Sequence, residues 1–203
     1  MTDVLFVRHG QSEWNAQGRW QGQADPPLSQ LGIDQARAAG RHLRDWPAFD
    51  GIASSTLDRA ATTADQIADE LGFDIPFRTV DLAERSAGEW SGLTRDEIDR
   101  DYPGYLKSRR YPPGYEYDDD LLPRIRRGLL SVLTNVPGER LVVVAHGGLL
   151  YCIEASFGLS FNHLSNLGAR WLHVDHDASI ELGERVELLD GWDGEQTSNP
   201  GML

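Results

Sequence analysis

The sequence predicts an α/β fold, a three-layer α/β/α sandwich built on a mostly parallel central sheet. Two short and wholly apolar runs, Val4 to Val7 and Leu141 to Ala145, lack the alternation of a half-exposed strand. They read as strands buried on both faces, which is how strands of parallel sheets look. Around them, strand-like runs alternate with segments whose apolar residues recur at helical spacing, the order expected when helices cover both faces of one sheet. Both apolar runs end in His-Gly, at His9-Gly10 and His146-Gly147.

The elements follow in order. Glu13 to Pro27 is polar and broken by Gly18, Gly22 and Pro26-Pro27, so a loop is expected there. Ser29 is placed to cap a helix running to about Trp46, with Leu31, Ala36, Ala39 and Leu43 on one face. Gly51 to Ser55 is a second short strand. The stripe Leu57, Ala60, Ala61, Ala64, Ile67, Ala68 and Leu71 predicts a helix closed by Gly72. Phe73 to Val80 reads as a third strand, with Pro76 suggesting an edge position or an irregular start. Leu82 to Gly92 is a loop, and Thr94 with Glu97 has the spacing of a capping box opening a short helix. Tyr102 to Tyr117 holds five tyrosines, three prolines and Arg109-Arg110, the composition of a lid or substrate loop. Asp118 to Asp120 suits the positive end of the next helix, whose apolar face runs from Leu121 to about Asn135. After the Leu141 strand come a helix from Gly148 to about Phe157 and two strands, Trp171 to Val174 and Ser179 to Leu189.

The 203 residues fit one domain, expected over 1–192, with a polar and frayed tail at 193–203. Nineteen Lys and Arg against 32 Asp and Glu give a net charge of −13 with no basic run, which argues against nucleic acid and anionic membrane as partners. The single Cys152 excludes an intramolecular disulfide and fits a reducing compartment, and no run of about 18 apolar residues occurs. A soluble cytoplasmic protein is expected. The oligomeric state is open, a homodimer included.

Ligands of open α/β sheets bind outside the carboxyl ends of the strands. Arg8 offers there a planar fork of donors matched to an anion, and His9 a nitrogen lone pair near neutral pH. His146 arrives at the same rim from the second buried strand. Arg59, just inside the helix that follows Ser55, points to that edge, and Glu84 lies in the loop after the third strand. In an acidic chain such a convergence of cations around two imidazoles fits a tetrahedral anion. Taken singly, Arg59 reads equally well as a solvated helix residue, and Glu84-Arg85 as a surface pair. Arg109-Arg110 alone is more readily a solvated pair than a clamp. His42 looks incidental, while His173 and His176 would face opposite sides of a pleat. With neither HExxH nor paired cysteines, no metal is expected.

Five stretches occur in order: Val7-Arg8-His9-Gly10-Gln11-Ser12-Glu13-Trp14-Asn15; Gln21-Gly22 with Leu28-Ser29-Gln30-Leu31-Gly32; Ser54 to Ala64 with Arg59 at its centre; Leu82-Ala83-Glu84 with Gly88-Glu89-Trp90-Ser91-Gly92; and Val144-Ala145-His146-Gly147-Gly148. Together they resemble the successive motifs of the histidine phosphatase, or phosphoglycerate mutase-like, superfamily. The resemblance implies a phosphoglycerate mutase-like fold and a metal-independent phosphomonoesterase with no cofactor, acting on a small phosphorylated metabolite. It makes His9 the phosphorylated nucleophile, Glu84 the proton donor, and Arg8, Arg59 and His146 the phosphate pocket. Asn15, the Gln21-Gly22 pair and the Gly147 amide take further phosphate contacts. Mutases of the superfamily follow the Glu with an Arg-His-Tyr-Gly type sequence, whereas this chain has Arg85-Ser86-Ala87-Gly88. That departure and Gln21-Gly22 favour the broad-specificity phosphatase branch. Arg109-Arg110-Tyr111-Pro112-Pro113 partly resembles a substrate-binding segment of the mutases, so Arg85, Arg109 and Arg110 are the candidates for specificity. The alternatives are a cofactor-dependent phosphoglycerate mutase and a catalytically silent phospholigand-binding module.

Overall fold

The computed structural model describes residues 1–192, so the tail at 193–203 lies outside the described residues. One six-stranded sheet organises them. In chain order the strands are β1 (Thr2–Arg8), β2 (Gly51–Ser55), β3 (Phe77–Thr79), β4 (Arg140–Ala145), β5 (Gly168–Val174) and β6 (Ile180–Glu187). They lie side by side as β3-β2-β4-β1-β5-β6. The first four neighbours are parallel, and β5 and β6 complete the sheet antiparallel.

The apolar runs are continuous because helices cover both faces. Val4 and Phe6 of β1, with Leu141 and Val143 of β4, pack on one side with α5 (Asp118–Asn135) and α6 (Gly147–Ser156). Leu5, Val7, Val142 and Val144 point the other way, onto α2 (Gln30–Leu43) and α3 (Asp58–Leu71). This is the three-layer arrangement expected from the sequence. Burial of such side chains contributes roughly 1.5–3 kcal/mol each, so the two central strands anchor everything attached to their ends.

Register brings the two His-Gly ends together. Arg8 of β1 pairs with Ala145 of β4, and the His9 amide donates to the Ala145 carbonyl at 3.0 Å. Beside them the loop after β1 meets the start of α2 backbone to backbone: a Cβ on Gly10 would lie 2.6 Å from the Gly32 carbonyl oxygen, and one on Gly32 2.0 Å from that of Gln11. Neither position has room for a side chain.

Several elements differ from expectation. The third strand is only Phe77–Thr79: Gly72 closes α3 in the left-handed conformation (φ 77°), and Pro76 has no amide to give the ladder. Residues 73–76 therefore cross from helix to edge unpaired. The loop at 13–27 opens with one helical turn, α1 (Glu13–Ala16), held by reciprocal Ser12–Asn15 capping and too short to show a period. As expected, the acids Asp118 to Asp120 form the first turn of α5. Thr94 and Glu97 form the capping box of α4 (Arg95–Asp101) as expected. The tyrosine-rich segment is packed rather than loose: Tyr102, Tyr105, Leu106 and Tyr111 surround buried Trp90 and Ile98. Among the described residues no helix is long and apolar enough to cross a membrane.

Candidate active site

A cavity of about 690 Å³ opens at the carboxyl ends of β1, β2 and β4. His9 lies at its floor and is 3% exposed. Its Nδ1 lies 2.6 Å from the Gly10 carbonyl oxygen, which can only accept, so Nδ1 carries the proton and Nε2 keeps its lone pair. Arg59 Nε–H donates to that lone pair at 3.2 Å. The Gly10 peptide is itself fixed, because its N–H donates to Thr63 Oγ1 at 3.0 Å. Burial, and after it the charges of Arg59 and Arg8, hold the His9 pKa well below the ordinary histidine range. The imidazole is neutral at physiological pH.

Arg59 is fully buried, which without partners would cost several kcal/mol. Its Nη1 and Nη2 donate to the carbonyls of Ala24 and Gly22, both at 2.8 Å, and Asp25 lies 3.8 Å away. Desolvation lowers its pKa to about 10, so it stays cationic at neutral pH. The loop after α1 is thus the clamp that aims Arg59 at His9. Arg8 is pinned by the Leu164 carbonyl. His146, fully buried at the N-cap of α6, stands edge-on to His9 with ring centroids 5.2 Å apart. Burial and then Arg59 and His9 keep its pKa well below the ordinary value too.

Glu84 faces this group from the loop after β3. Its carboxylate accepts from the Gly148 amide at 3.1 Å and the Arg85 amide at 2.7 Å, so it sits at the positive end of α6. Arg124 of α5 steadies the loop by donating to the carbonyls of Ala83 (2.7 Å), Asp81 (3.0 Å) and Glu84 (3.3 Å). Asn15 and Gln21 join the wall through Ser12, whose amide donates to Asn15 Oδ1 at 3.1 Å and whose hydroxyl donates to Gln21 Oε1 at 2.8 Å. Gly22 and Gly147 also line the cavity. Among the described residues no group of three or more His, Cys, Asp or Glu side chains could hold a metal ion.

The profile of the histidine phosphatase superfamily (branch 1) matches residues 4–180. The chain belongs to this superfamily. A metal-independent phosphoserine phosphatase of Arabidopsis thaliana is 31% identical over 211 aligned residues, covering 100% of this chain and 86% of the relative. A 2,3-bisphosphoglycerate-dependent phosphoglycerate mutase of Methylobacterium radiotolerans is 38% identical over 158, covering 72% and 74%. Among solved structures, a mycobacterial glucosyl-3-phosphoglycerate phosphatase complexed with VO3 superposes with a TM-score of 0.75 at 30% identity, covering 90% of this chain and 97% of that one. The fold and the enzyme class expected from the sequence, a histidine phosphatase, stand with these matches.

In this histidine phosphatase the structure brings together Arg8, His9, Asn15, Gln21, Gly22, Arg59, Glu84 and Gly147 around the cavity, with His146 directly behind. The specificity candidates fare differently. Arg85 lines the cavity but is spent on protein partners, donating to Tyr115 Oη (3.0 Å), Asp118 Oδ1 (2.6 Å) and the Glu116 carbonyl (3.3 Å). It is a strut between the Glu84 loop and α5. Arg109 lines the cavity, whereas Arg110 turns away: its guanidinium stacks over Tyr105 at 4.4 Å and its Nε donates to Ser108 Oγ at 3.0 Å. Arg110 is therefore withdrawn as a cavity residue, because adjacent residues of an irregular segment project to different sides. His176 lies in the turn after β5, not in a strand, and His173 pairs with Asp3 at 2.7 Å.

Sequence reasoning missed the opposite wall. Tyr151 of α6 and Leu159, Ser160, Phe161 and His163 of the following loop all face the cavity, as do Trp20 and Arg95. That loop is suspended from the site: Tyr151 Oη accepts the Leu164 amide at 2.9 Å, and Asn166 Nδ2 donates to the His9 carbonyl at 2.9 Å. Arg185, bound to buried Glu154, reaches the carbonyls of Asn162 and His163 at 2.9 and 3.2 Å.

Proposed function

We propose that the chain hydrolyses small phosphomonoesters without a metal, through a phosphohistidine formed at His9 Nε2. The observation that carries this reading is the orientation of His9: its proton is held at Nδ1 by the Gly10 carbonyl, and its lone pair is held against Arg59 at the cavity floor. A neutral imidazole attacks phosphorus without first losing a proton, and the labile phosphoimidazole splits one hard displacement into two easier ones. Arg8 and Arg59 neutralise charge on the non-bridging oxygens, the work positioned cations do in phosphoryl transfer.

Glu84 takes the proton-transfer role in this reading. Protonated, it delivers a proton to the leaving alkoxide; ionised, it takes one from the water that attacks phospho-His9. The Gly148 and Arg85 amides hold its carboxyl group in place at the cavity wall. A cavity of about 690 Å³ suits a metabolite-sized ester. Serine and glucosylglycerate phosphates are the first substrates to screen, because they are named for the relatives. At a net charge of −13, nucleic acid is not a partner in this reading, and the single buried Cys152 fits a reducing cytoplasm.

The similarity to a phosphoglycerate mutase supports a second reading, transfer to a second hydroxyl instead of water. Ser86 speaks against it, since its Oγ is occupied with the Gly114 carbonyl at 2.8 Å and closes the tyrosine-rich segment onto the Glu84 loop. The test is a denaturing quench with labelled substrate: an acid-labile, alkali-stable label should appear on wild type and be missing from His9→Ala. Turnover should survive EDTA, and 3-phosphoglycerate with catalytic 2,3-bisphosphoglycerate should give little 2-phosphoglycerate. Metal-reversible loss of activity, or rapid isomerisation, would overturn the respective half of the proposal.

A further inference from the structure

We infer that Ser55 is a positioning residue that fixes the tautomer of His146, so that this second histidine meets the phosphoryl group as an Nδ1–H donor. The inference rests on the proposed use of the cavity floor, but its first observable does not depend on turnover. Ser55 ends β2 and is completely buried. Its Oγ accepts the Leu57 amide at 3.2 Å and lies 2.9 Å from His146 Nε2. The other ring nitrogen, Nδ1, is buried and has no hydrogen-bond partner among the described residues.

A hydroxyl has one proton to give and two lone pairs to receive. If His146 carried its proton on Nε2, Ser55 Oγ would accept from both Nε2 and the Leu57 amide. The serine's own proton would then have no acceptor, and the Nδ1 lone pair no donor. If instead Ser55 donates to Nε2, the serine is satisfied on both sides and a single unmatched group remains, the Nδ1–H. Each buried unmatched polar group carries a desolvation penalty, so the arrangement with one prevails over the arrangement with two. Protonating both nitrogens is opposed by burial next to Arg59.

The two histidines then hold the same tautomer for opposite purposes. Gly10 occupies Nδ1–H of His9 and leaves Nε2 as the electron pair that attacks; Ser55 occupies Nε2 of His146 and leaves Nδ1–H as the donor. The rings stand edge-on with centroids 5.2 Å apart, so the unpartnered Nδ1–H belongs to the immediate neighbour of His9 in the layer behind the cavity floor. A lone pair from His146 would instead repel the phosphoryl oxygens.

Nitrogen-15 NMR of the full chain, with imidazole resonances assigned through His146→Gln, reads the tautomer directly. Wild type should show His146 protonated at Nδ1 and bare at Nε2. In Ser55→Ala the Nε2-protonated form should grow, with kcat/KM on a phosphomonoester falling about tenfold, as for one hydrogen bond of roughly 1.4 kcal/mol. Inorganic phosphate should inhibit that variant less. Ser55→Thr, which keeps the hydroxyl, should restore the tautomer and most of the turnover. An Nε2-protonated His146 in wild type overturns the inference, and so does a Ser55→Ala variant that loses activity with its tautomer unchanged. Failure of the enzymatic reading is separate: the tautomer would be as inferred in a chain that turns over no phosphomonoester.

Discussion

The floor and the mouth of the cavity are built by different rules. At the floor, Arg59, His146 and His9 are 0–3% exposed, and the groups that hold them are mostly backbone: the carbonyls of Gly10, Gly22 and Ala24. At the mouth, Leu159 and Phe161 are 45% and 57% exposed, and aromatic side chains meet one another, Tyr151 against Phe161 and Tyr111 stacked on Tyr115. Clamps that close on buried Arg59 and His9 cannot shift without opening the core, whereas exposed side-chain contacts can be exchanged. The chemistry is thus tied to the fold and the choice of leaving group is not, a separation that substitutions can test.

The largest effect belongs to the floor. His9→Ala should abolish the trapped label and lower kcat by on the order of 10⁴ or more, since residues that act as a unit fail together. Thermal unfolding of this variant should stay cooperative; a labelled, active His9→Ala would place the nucleophile elsewhere. Glu84→Gln comes next. Alkyl phosphates need a proton on the departing alkoxide, so their hydrolysis should slow by roughly 10²- to 10⁴-fold. Nitrophenolate leaves unaided, so the same variant should give a stopped-flow burst of about one equivalent followed by slow discharge. Equal slowing of both phases with both substrates would point to another carboxylate of the cavity lining, such as Asp118.

A third prediction concerns pH. His9 and His146 both have folded pKa values below the unfolded value near 6.5. Above that pH neither state binds the proton and their stability contribution is complete. As pH falls below about 6.5 the unfolded chain takes up protons that the folded chain refuses, so stability drops until the folded values are reached. The melting temperature should therefore decrease from pH 7.5 to 5.5, and less steeply in His146→Gln. A profile unchanged by that substitution would remove His146 from the acid limb. The mouth should give the smallest effects. Arg109→Ala should change the ranking of substrates several-fold while p-nitrophenyl phosphate turnover stays within about twofold; Arg110→Ala should leave both unchanged, because Arg110 stacks on Tyr105. If Arg110→Ala shifts specificity as much as Arg109→Ala, the mouth is arranged differently from the geometry described.

The same division governs what could be read from the sequence. The floor was legible because strand register carries local motifs into contact: once Val4 to Val7 and Leu141 to Ala145 are neighbouring parallel strands, His9 and His146 must meet. Arg59 followed from its place behind β2. The mouth was not legible, since residues 157–167 have no periodicity, and nothing local says that Phe161 and His163 fold back onto the cavity. Arg95 looks like any first-turn helix residue, and Arg85 and Arg110 looked available because their partners, Asp118 and Tyr105, are chosen by tertiary packing. Pro76 marks the third strand's edge position and irregular start, but not that pairing is confined to Phe77–Thr79, since where a ladder begins and ends depends on the neighbouring strand.

The contact between Gly10 and Gly32 bears on how such a chain can change over generations. Every single-base change of a glycine codon that alters the residue introduces at least a Cβ, and neither position has space for one. Both are closed to stepwise drift, and with them the distance from α2 to the reactive strand end. Phe161, 57% exposed in the loop after α6, meets no such wall, so descendants of this chain would vary around the cavity mouth long before they moved α2 against the end of β1.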